Sequence, residues 1–209
     1  MSSHADPTTD GRAVRGQATR TRIVDAARDV LLEHGHGGTS TRAVADRAGV
    51  RLSLVHYHFG GKQNLLVAVL ARENALRLER QRALYAAPRP LAEKWRIACD
   101  FLDDDIRSGY VRVLWELWAA GLADDSLAAE WRSAMGGWRT LLESVFAAWA
   151  DEHGFALPMS AKGVATLVTN VFQGIEIELL AGVGPDDAAH REVLDALGGL
   201  IERAERRAA

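Results

Sequence analysis

Residues able to bind a nucleic acid are concentrated between Thr39 and Lys62, where the sequence reads TSTRAVADRAGVRLSLVHYHFGGK. Arginine and lysine side chains bind phosphates, and arginine, serine and threonine also bond to base edges. An exposed helix is about 10–12 Å wide, which suits the major groove of B-DNA. We therefore expect DNA contacts from the outward-facing residues of this segment, namely Thr41, Arg42, Arg51, Leu52, Ser53, Leu54, His56, Tyr57 and His58.

The small and apolar residues of the same segment have the spacing of a helix-turn-helix. Gly49 supplies a left-handed turn residue between two short helices, a conformation that strains residues with a Cβ atom. Ala45 leaves room for the second helix to cross the first, and three valines fill the wedge between them: Val44, Val50 and Val55. An ordinary helical hairpin with solvated polar residues is the alternative explanation of this spacing alone.

A longer set of residues around this segment points to one family. The set comprises Arg22, Ile23, Ala26, Ala27, Gly35, Thr39, Ser40, Val44, Ala45, Ala48, Gly49, Val50, Val55, Tyr57, His58, Phe59, Lys62, Leu65 and Leu66. Over about residues 18–66 the chain resembles the N-terminal domain of the TetR family of transcriptional regulators. The resemblance implies that Lys62 also contacts DNA, at a phosphate near the first turn of the following helix.

The sequence departs from the family pattern at two positions. Arg51 stands where a capping serine or threonine is frequent, and the lost cap costs about 1 kcal/mol of helix stability. A cation at this position gains a phosphate or guanine partner instead. His56 replaces a frequent tyrosine, and an imidazole contact to DNA weakens as the pH rises past the point where the ring becomes neutral.

Apolar residues recur at spacings of three and four along the chain, and strand alternation is absent, so the sequence predicts an all-α protein. We expect a flexible N-terminal tail (1–17), a three-helix helix-turn-helix DNA-binding domain (18–62) and a larger C-terminal helical bundle for effector binding and dimerisation (63–209). About nine helices are predicted, at 19–34, 40–48, 51–59, 62–85, 91–106, 111–122, 126–152, 158–180 and 187–206.

The charge of the chain divides at Lys62. The whole sequence has 25 Lys and Arg against 28 Asp and Glu, a formal net charge of −3 that by itself argues against DNA binding. Residues 1–62, here called the head, carry nine basic and six acidic side chains. Residues 63–209, here called the body, carry 16 basic and 22 acidic side chains and all six tryptophans. A basic head on an acidic body is expected when one end of a protein meets a polyanion.

Two apolar stripes near the C-terminus are candidates for a dimer interface. One consists of Val164, Val168, Val171, Ile175 and Leu179, and the other of Val193, Leu197, Leu200 and Ile201. Two such helices from each protomer would form a four-helix bundle, which is the usual interface of the family. A symmetric dimer reads a palindromic operator with half-sites about 34–36 Å apart. Packing within the chain is the alternative explanation of both stripes.

The body also contains candidates for a small-molecule effector site, which the family resemblance implies. Aromatic and polar residues that could line an apolar site with a few orienting groups are Trp115, Glu116, Trp118, Trp138, Asn170, Phe172, Gln173 and Glu176. Tryptophans at helical spacing are also ordinary core residues, and polar residues on a helix also suit an exposed face. The identity of the effector is open.

Catalytic and metal-binding patterns do not emerge from the sequence. The pairs His34/His36 and His56/His58 lack cysteines or carboxylates at ligand spacing, so we expect no metal, no cofactor and no enzymatic activity. Asp103–Asp105 is expected to be a solvated acidic face. The single Cys99 fits a reducing compartment, and no apolar run approaches the roughly 20 residues of a spanning helix. We therefore expect a cytoplasmic protein without membrane association.

Together these features favour a sequence-specific DNA-binding transcriptional regulator acting as a ligand-responsive homodimeric repressor. Its partners would be double-stranded DNA with a palindromic operator, a small-molecule effector and a second copy of the chain. Two alternatives stay open at this point. One is a helical module that binds a small molecule or a protein without regulatory DNA binding, and the other is a DNA-binding activator.

Overall fold

The computed structural model describes the backbone of residues 7–208 and the side chains of residues 13–207. Over these residues the chain forms α-helices and no strands, which confirms the all-α prediction. The described helices are α1 Pro7–Gly38, α2 Thr41–Ala48, α3 Leu52–Phe59, α4 Lys62–Ala86, α5 Leu91–Arg107, α6 Tyr110–Gly121, α7 Asp125–His153, α8 Ala161–Leu180 and α9 His190–Ala208. None of them has an apolar stretch long enough to cross a membrane.

Helix α1 begins at Pro7, earlier than the sequence predicts, and so includes residues 7–17 of the segment expected to be an N-terminal tail. Proline suits the first helical position because its missing N–H has no partner there, and the alanines and arginines that follow favour helix. The rest of the predicted tail, residues 1–6, lies outside the described residues. Near its other end α1 is interrupted at Gly35, which has φ 66°, and the Thr39 amide then donates to the Gly35 carbonyl at 3.1 Å.

The two short helices of the head meet as the helix-turn-helix spacing requires. Ser40 caps α2 by accepting a hydrogen bond from the Ala43 amide at 3.1 Å, and Gly49 ends α2 in the left-handed conformation with φ 62°. Val44 and Val55 are fully buried between the helices, where each contributes on the order of 2 kcal/mol of hydrophobic stabilisation. This burial fixes the orientation of α3 relative to α2.

The head does not pack as a separate unit. Its buried core continues into α6, where Val113 and Leu117 belong to the same cluster of buried residues as Leu31 and Leu66. A second cluster joins α5, α8, α9 and the C-terminal half of α7. Because α4 and α6 contribute to the core beneath α2 and α3, a movement of either helix reaches the head directly.

Candidate DNA-binding surface and effector cavity

The outer face of α3 carries most of the residues predicted to contact DNA. Val55 and Phe59 bury the inner face, whereas the Tyr57 side chain is 81% exposed. Thr41 and His58 are partly buried, and the exposed members of the predicted set are Arg42, Arg51, Leu52, Ser53, Leu54, His56 and Tyr57. An exposed row of polar, basic and aromatic side chains on a short helix can enter a major groove.

Arg51 occupies the N-cap position of α3 with an extended backbone, φ −68° and ψ 141°. Its side chain makes no capping hydrogen bond, in agreement with the departure noted in the sequence. The first turn of α3 therefore keeps unpaired backbone N–H groups, which attract anions such as a DNA phosphate.

Lys62 and His56 make internal contacts as well as lying near the predicted DNA surface. The Lys62 ammonium is partly buried and donates to the His36 carbonyl at 2.7 Å, which leaves two further N–H donors. The His56 ring nitrogen Nδ1 lies 3.3 Å from the Gly60 carbonyl at the end of its own helix. Lys62 thus connects the start of α4 to the turn that follows Gly35.

A cavity of about 90 Å³ lies inside the body among α4, α5, α6, α7 and α8. Four residues predicted from the sequence line it: Trp138, Phe172, Gln173 and Glu176. Further aromatic and polar lining residues that the sequence did not indicate include Gln81, Tyr85, Asp105 and Tyr110. They come from three other helices, so helical spacing within one segment gives no signal that they meet.

The other predicted effector residues lie outside this lining. Trp115 packs behind it and donates from its indole N–H to Glu176 Oε2 at 3.0 Å. Trp118 packs edge-on against Trp115 with ring centroids 5.4 Å apart, and Asn170 is exposed on the opposite side of α8. Glu116 points towards the head, where its Oε2 accepts a hydrogen bond from the His36 amide at 2.6 Å.

Two carboxylates line the cavity in different electrostatic settings. Asp105 is buried rather than on a solvated face, and it pairs with Arg80 at 2.5 Å and with Arg77 at 3.3 Å. Burial raises the pKa of Asp105, and the two arginines oppose that rise. Burial raises the pKa of Glu176 to about 7, and only the Trp115 hydrogen bond opposes it. Glu176 therefore titrates near neutral pH.

The stripes predicted for dimerisation divide between the interior and the surface. On α8, Val168 and Ile175 are buried within the protomer, so a surface role for them disagrees with the structure. Val164, Val171, Leu179, Leu197 and Ile201 are partly buried against the same cluster. The exposed apolar side chains are Leu167, Ile177 and Leu180 on α8 and Val193 and Leu200 on α9. Because α8 is apolar on two faces, its spacing could not identify the outer one.

Metal binding has no candidate in the described part of the chain. Among those residues, no group of three or more His, Cys, Asp or Glu side chains could hold a metal ion. The described histidines of the head lie on α1 and α3, and the backbone of His36 contacts Glu116 and Lys62.

A short exposed helix that crosses another, joined to a helical body with an internal cavity, is the arrangement expected of a DNA-binding transcriptional regulator. Residues 23–69 match the family model of the bacterial regulatory proteins, tetR family. The chain belongs to the TetR family of transcriptional regulators, a family of regulators rather than enzymes, as the sequence predicts. This family membership argues against the alternative of a helical module without regulatory DNA binding.

Similarity to known regulators extends over both the head and the body. The transcriptional repressor AcnR of Corynebacterium glutamicum is 25% identical over 185 residues, which are 88% of this chain and 93% of AcnR. A transcriptional regulator from Rhodococcus sp. Rha1 superposes with a TM-score of 0.72 at 26% identity, covering 88% of this chain and 96% of the regulator. The multidrug binding protein EbrR, complexed with imidazole, gives a TM-score of 0.60 at 28% identity and covers 85% and 93% of the two chains.

Proposed function

We propose that the chain is a homodimeric repressor that leaves its operator when a small molecule binds in the body. The observation that carries this proposal is the position of two neighbouring residues on α6. Trp115 reaches the cavity through its hydrogen bond to Glu176, and Glu116 reaches the head through its hydrogen bond to His36. A shift of α6 therefore changes both sites together.

The contact between α6 and the head is closely fitted. A Cβ atom at Gly35 would lie 3.2 Å from Glu116 Oε2, and the φ of 66° at Gly35 independently favours glycine. The His36 amide donates to Glu116, and the His36 carbonyl accepts from Lys62 at the start of α4. Movement of α6 thus acts on the end of α1 and on the first turn of α4, which together support α2 and α3.

For DNA, we propose that residues 18–62 form the reading domain and that Arg42 and Tyr57 are central to it. Both side chains are exposed, and both belong to the set expected to face the major groove. The proposed surface is completed by Thr41, Arg51, Leu52, Ser53, Leu54, His56, His58 and Lys62. AcnR is named as a repressor, which supports repression over activation.

For dimerisation, we propose the exposed apolar face of α8 and α9 in place of the full sequence-predicted stripes. Leu167 is 48% exposed and Leu200 is 57% exposed, and an apolar groove of about 470 Å³ lies between their helices. Exposed apolar surface of this kind is typical of an interface between proteins. Two copies related by a two-fold axis would bury it and place two recognition helices on a palindrome.

For the effector, we propose the cavity lined by Trp138, Phe172, Gln173 and Glu176. EbrR is described as a multidrug binding protein and was solved with imidazole, which supports a ligand site in a body of this fold. To reverse an operator occupancy of 99:1, an effector must prefer the non-binding state by about 10⁴-fold.

The proposal is tested by selecting operator sequences from a random DNA library with the purified chain. We expect an enriched palindrome, protected on two successive major grooves, with an affinity that falls steeply as salt increases. The double variant Leu167→Glu, Leu200→Glu should sediment as a monomer and should no longer enrich a palindromic sequence. The matched control Leu76→Glu, at an exposed leucine of α4, should remain a dimer. Enrichment of no palindrome, or a dimer that survives both substitutions, would overturn the proposal.

A further inference from the structure

Glu176 differs from the other carboxylate in the cavity because it has no cationic partner among the described residues. Asp105 pairs with Arg77 and Arg80, whereas no lysine or arginine of the described chain lines the cavity near Glu176. Removing an ionised carboxylate from water without a partner is costly. A ligand that brings a positive charge into the cavity would remove this cost.

The cavity presents hydrogen-bond acceptors that have no donor. Glu176 Oε2 accepts from Trp115, but Glu176 Oε1 has no hydrogen-bond partner among the described residues. Gln81 lines the same cavity, and its buried side-chain oxygen is also without a partner. The Thr169 hydroxyl donates to the Ala165 carbonyl at 2.7 Å, so only its acceptor lone pairs remain. A ligand with N–H donors complements these groups.

The walls of the cavity are aromatic. Tyr85, Tyr110, Trp138 and Phe172 line it, and the faces of such rings attract a cation that has lost its water. Burial raises the pKa of the Tyr85 and Tyr110 hydroxyls, so both stay neutral at physiological pH and add no charge of their own. The same rings accommodate an apolar substituent on the ligand.

We propose that the cavity binds a small organic ammonium ion with an aromatic or apolar substituent, and that Glu176 is its counter-ion. The inference deepens the effector role proposed above and rests on it. The ammonium N–H groups would donate to Glu176 Oε1 and to Gln81, and the substituent would pack between the aromatic walls. Neutral and anionic ligands of the same shape gain no charge pairing with Glu176.

The test compares three matched probes by calorimetry at pH 8 on the full-length chain. The probes are 2-phenylethylammonium, the neutral 2-phenylethanol and the anion phenylacetate. We expect the ammonium probe to bind at least about tenfold more tightly than the alcohol, and the anion not to bind. Glu176→Gln should weaken binding of the ammonium probe by about 30-fold or more, because the substitution removes one partner of a buried charge pair. Binding of the alcohol should stay unchanged.

Glu178→Gln is the matched control, because Glu178 is exposed on the same helix and lies outside the cavity lining. This variant should bind the ammonium probe as the wild type does. Three results would overturn the inference: an ammonium probe that does not bind, an alcohol or anion that binds equally well, or an unchanged ammonium affinity in Glu176→Gln.

Operator binding in the same samples separates this inference from the proposed function. If the ammonium probe binds through Glu176 but leaves operator affinity unchanged, the charge preference holds and the ligand-responsive switch fails. If the probe does not bind while the chain still binds a palindromic operator as a dimer, the ligand class fails and the DNA-binding function holds.

Discussion

The head and the body bury their polar groups in different ways. Among the described residues of the head, Thr39 is the one buried polar side chain, and it donates to the Gly35 carbonyl at 2.8 Å. The body buries several: Glu73, Asn74, Gln81, Asp105 and Thr169, with Glu176 in the wall of the cavity. The head thus has a closely packed apolar interior and a polar outer face, whereas the body keeps charge inside.

This difference indicates where each half of the molecule works. Buried polar groups reduce stability unless they are paired, so a protein that keeps them inside uses them for specificity or binding. Among the described residues of the head, the one buried polar side chain, Thr39, is paired within the chain, and most of the residues proposed to contact DNA lie on the surface. In the body, three of the buried polar residues line the cavity in which we propose that the ligand binds: Gln81, Asp105 and Thr169.

The largest effect should come from the outer face of the head. Replacing both Arg42 and Tyr57 by alanine removes two exposed side chains proposed to contact the operator, and each is worth about 1–3 kcal/mol. We expect the operator Kd to rise by on the order of 1000-fold, measured by fluorescence anisotropy, with the dimer intact by sedimentation. Arg82→Ala is the control, because this exposed arginine lies about 30 Å along α4 from Lys62.

The next effect concerns the charge inside the body. The folded pKa of Glu176 is raised to about 7 from 4.5, so the folded state holds a proton that the unfolded state releases between these values. The free energy of unfolding therefore falls as the pH rises from about 4.5 to 7. Above pH 7 the total loss is about 3 kcal/mol. Glu176→Gln removes this loss, so the variant should melt above the wild type at pH 8 and close to it at pH 4.5.

The pH comparison isolates Glu176 because the groups that face it are present in both proteins. These are Tyr110 from α6 and Asp105 from α5, with Arg77 behind Asp105. Thermal unfolding at one protein concentration is the measurement. If the Tm of Glu176→Gln differs from that of the wild type by the same amount at pH 4.5 and at pH 8, the result would contradict an ionised, unpaired Glu176.

A smaller effect is expected at the first turn of α3, where stability and DNA binding should change in opposite directions. Arg51→Ser supplies a side chain that can cap the helix, which should stabilise the chain by about 1 kcal/mol. The same substitution removes an exposed cation, so operator affinity should fall, with a shallower dependence on salt. A gain in both quantities would show that Arg51 does not contact DNA.

The sequence predicted the head much better than the interior of the body. Gly49, Ala45 and Val55 lie close together in sequence, so their spacing alone determines how α2 and α3 meet. Ser40, by contrast, was expected inside α2 and instead caps it, a boundary difference of one residue.

In the body, the relevant contacts join residues far apart in sequence, so helical spacing cannot identify them. Asp105 was expected to be solvated because it ends an acidic run, but the fold brings Arg77 and Arg80 against it. The outer face of α8 was not identifiable either, because this helix is apolar on more than one face: Leu167 is exposed, whereas its neighbour Val168 is buried. The packing of α8 against α7 and α6 decides which of its residues remain accessible.

In the proposed mechanism, α6 couples the cavity to the head through Trp115 and Glu116. Glu116→Ala removes the acceptor of the His36 amide but leaves the cavity lining unchanged. Arg112→Ala is the matched control, since it removes the 2.9 Å ion pair to Glu116 and keeps the bond to His36.

The most direct measurement is the operator Kd of these variants and the wild type, with and without saturating 2-phenylethylammonium. For the wild type and Arg112→Ala we predict a Kd at least tenfold higher with the probe. For Glu116→Ala, which should still bind both DNA and the probe, we predict a much smaller change. An equal response of Glu116→Ala and the wild type would contradict coupling through α6.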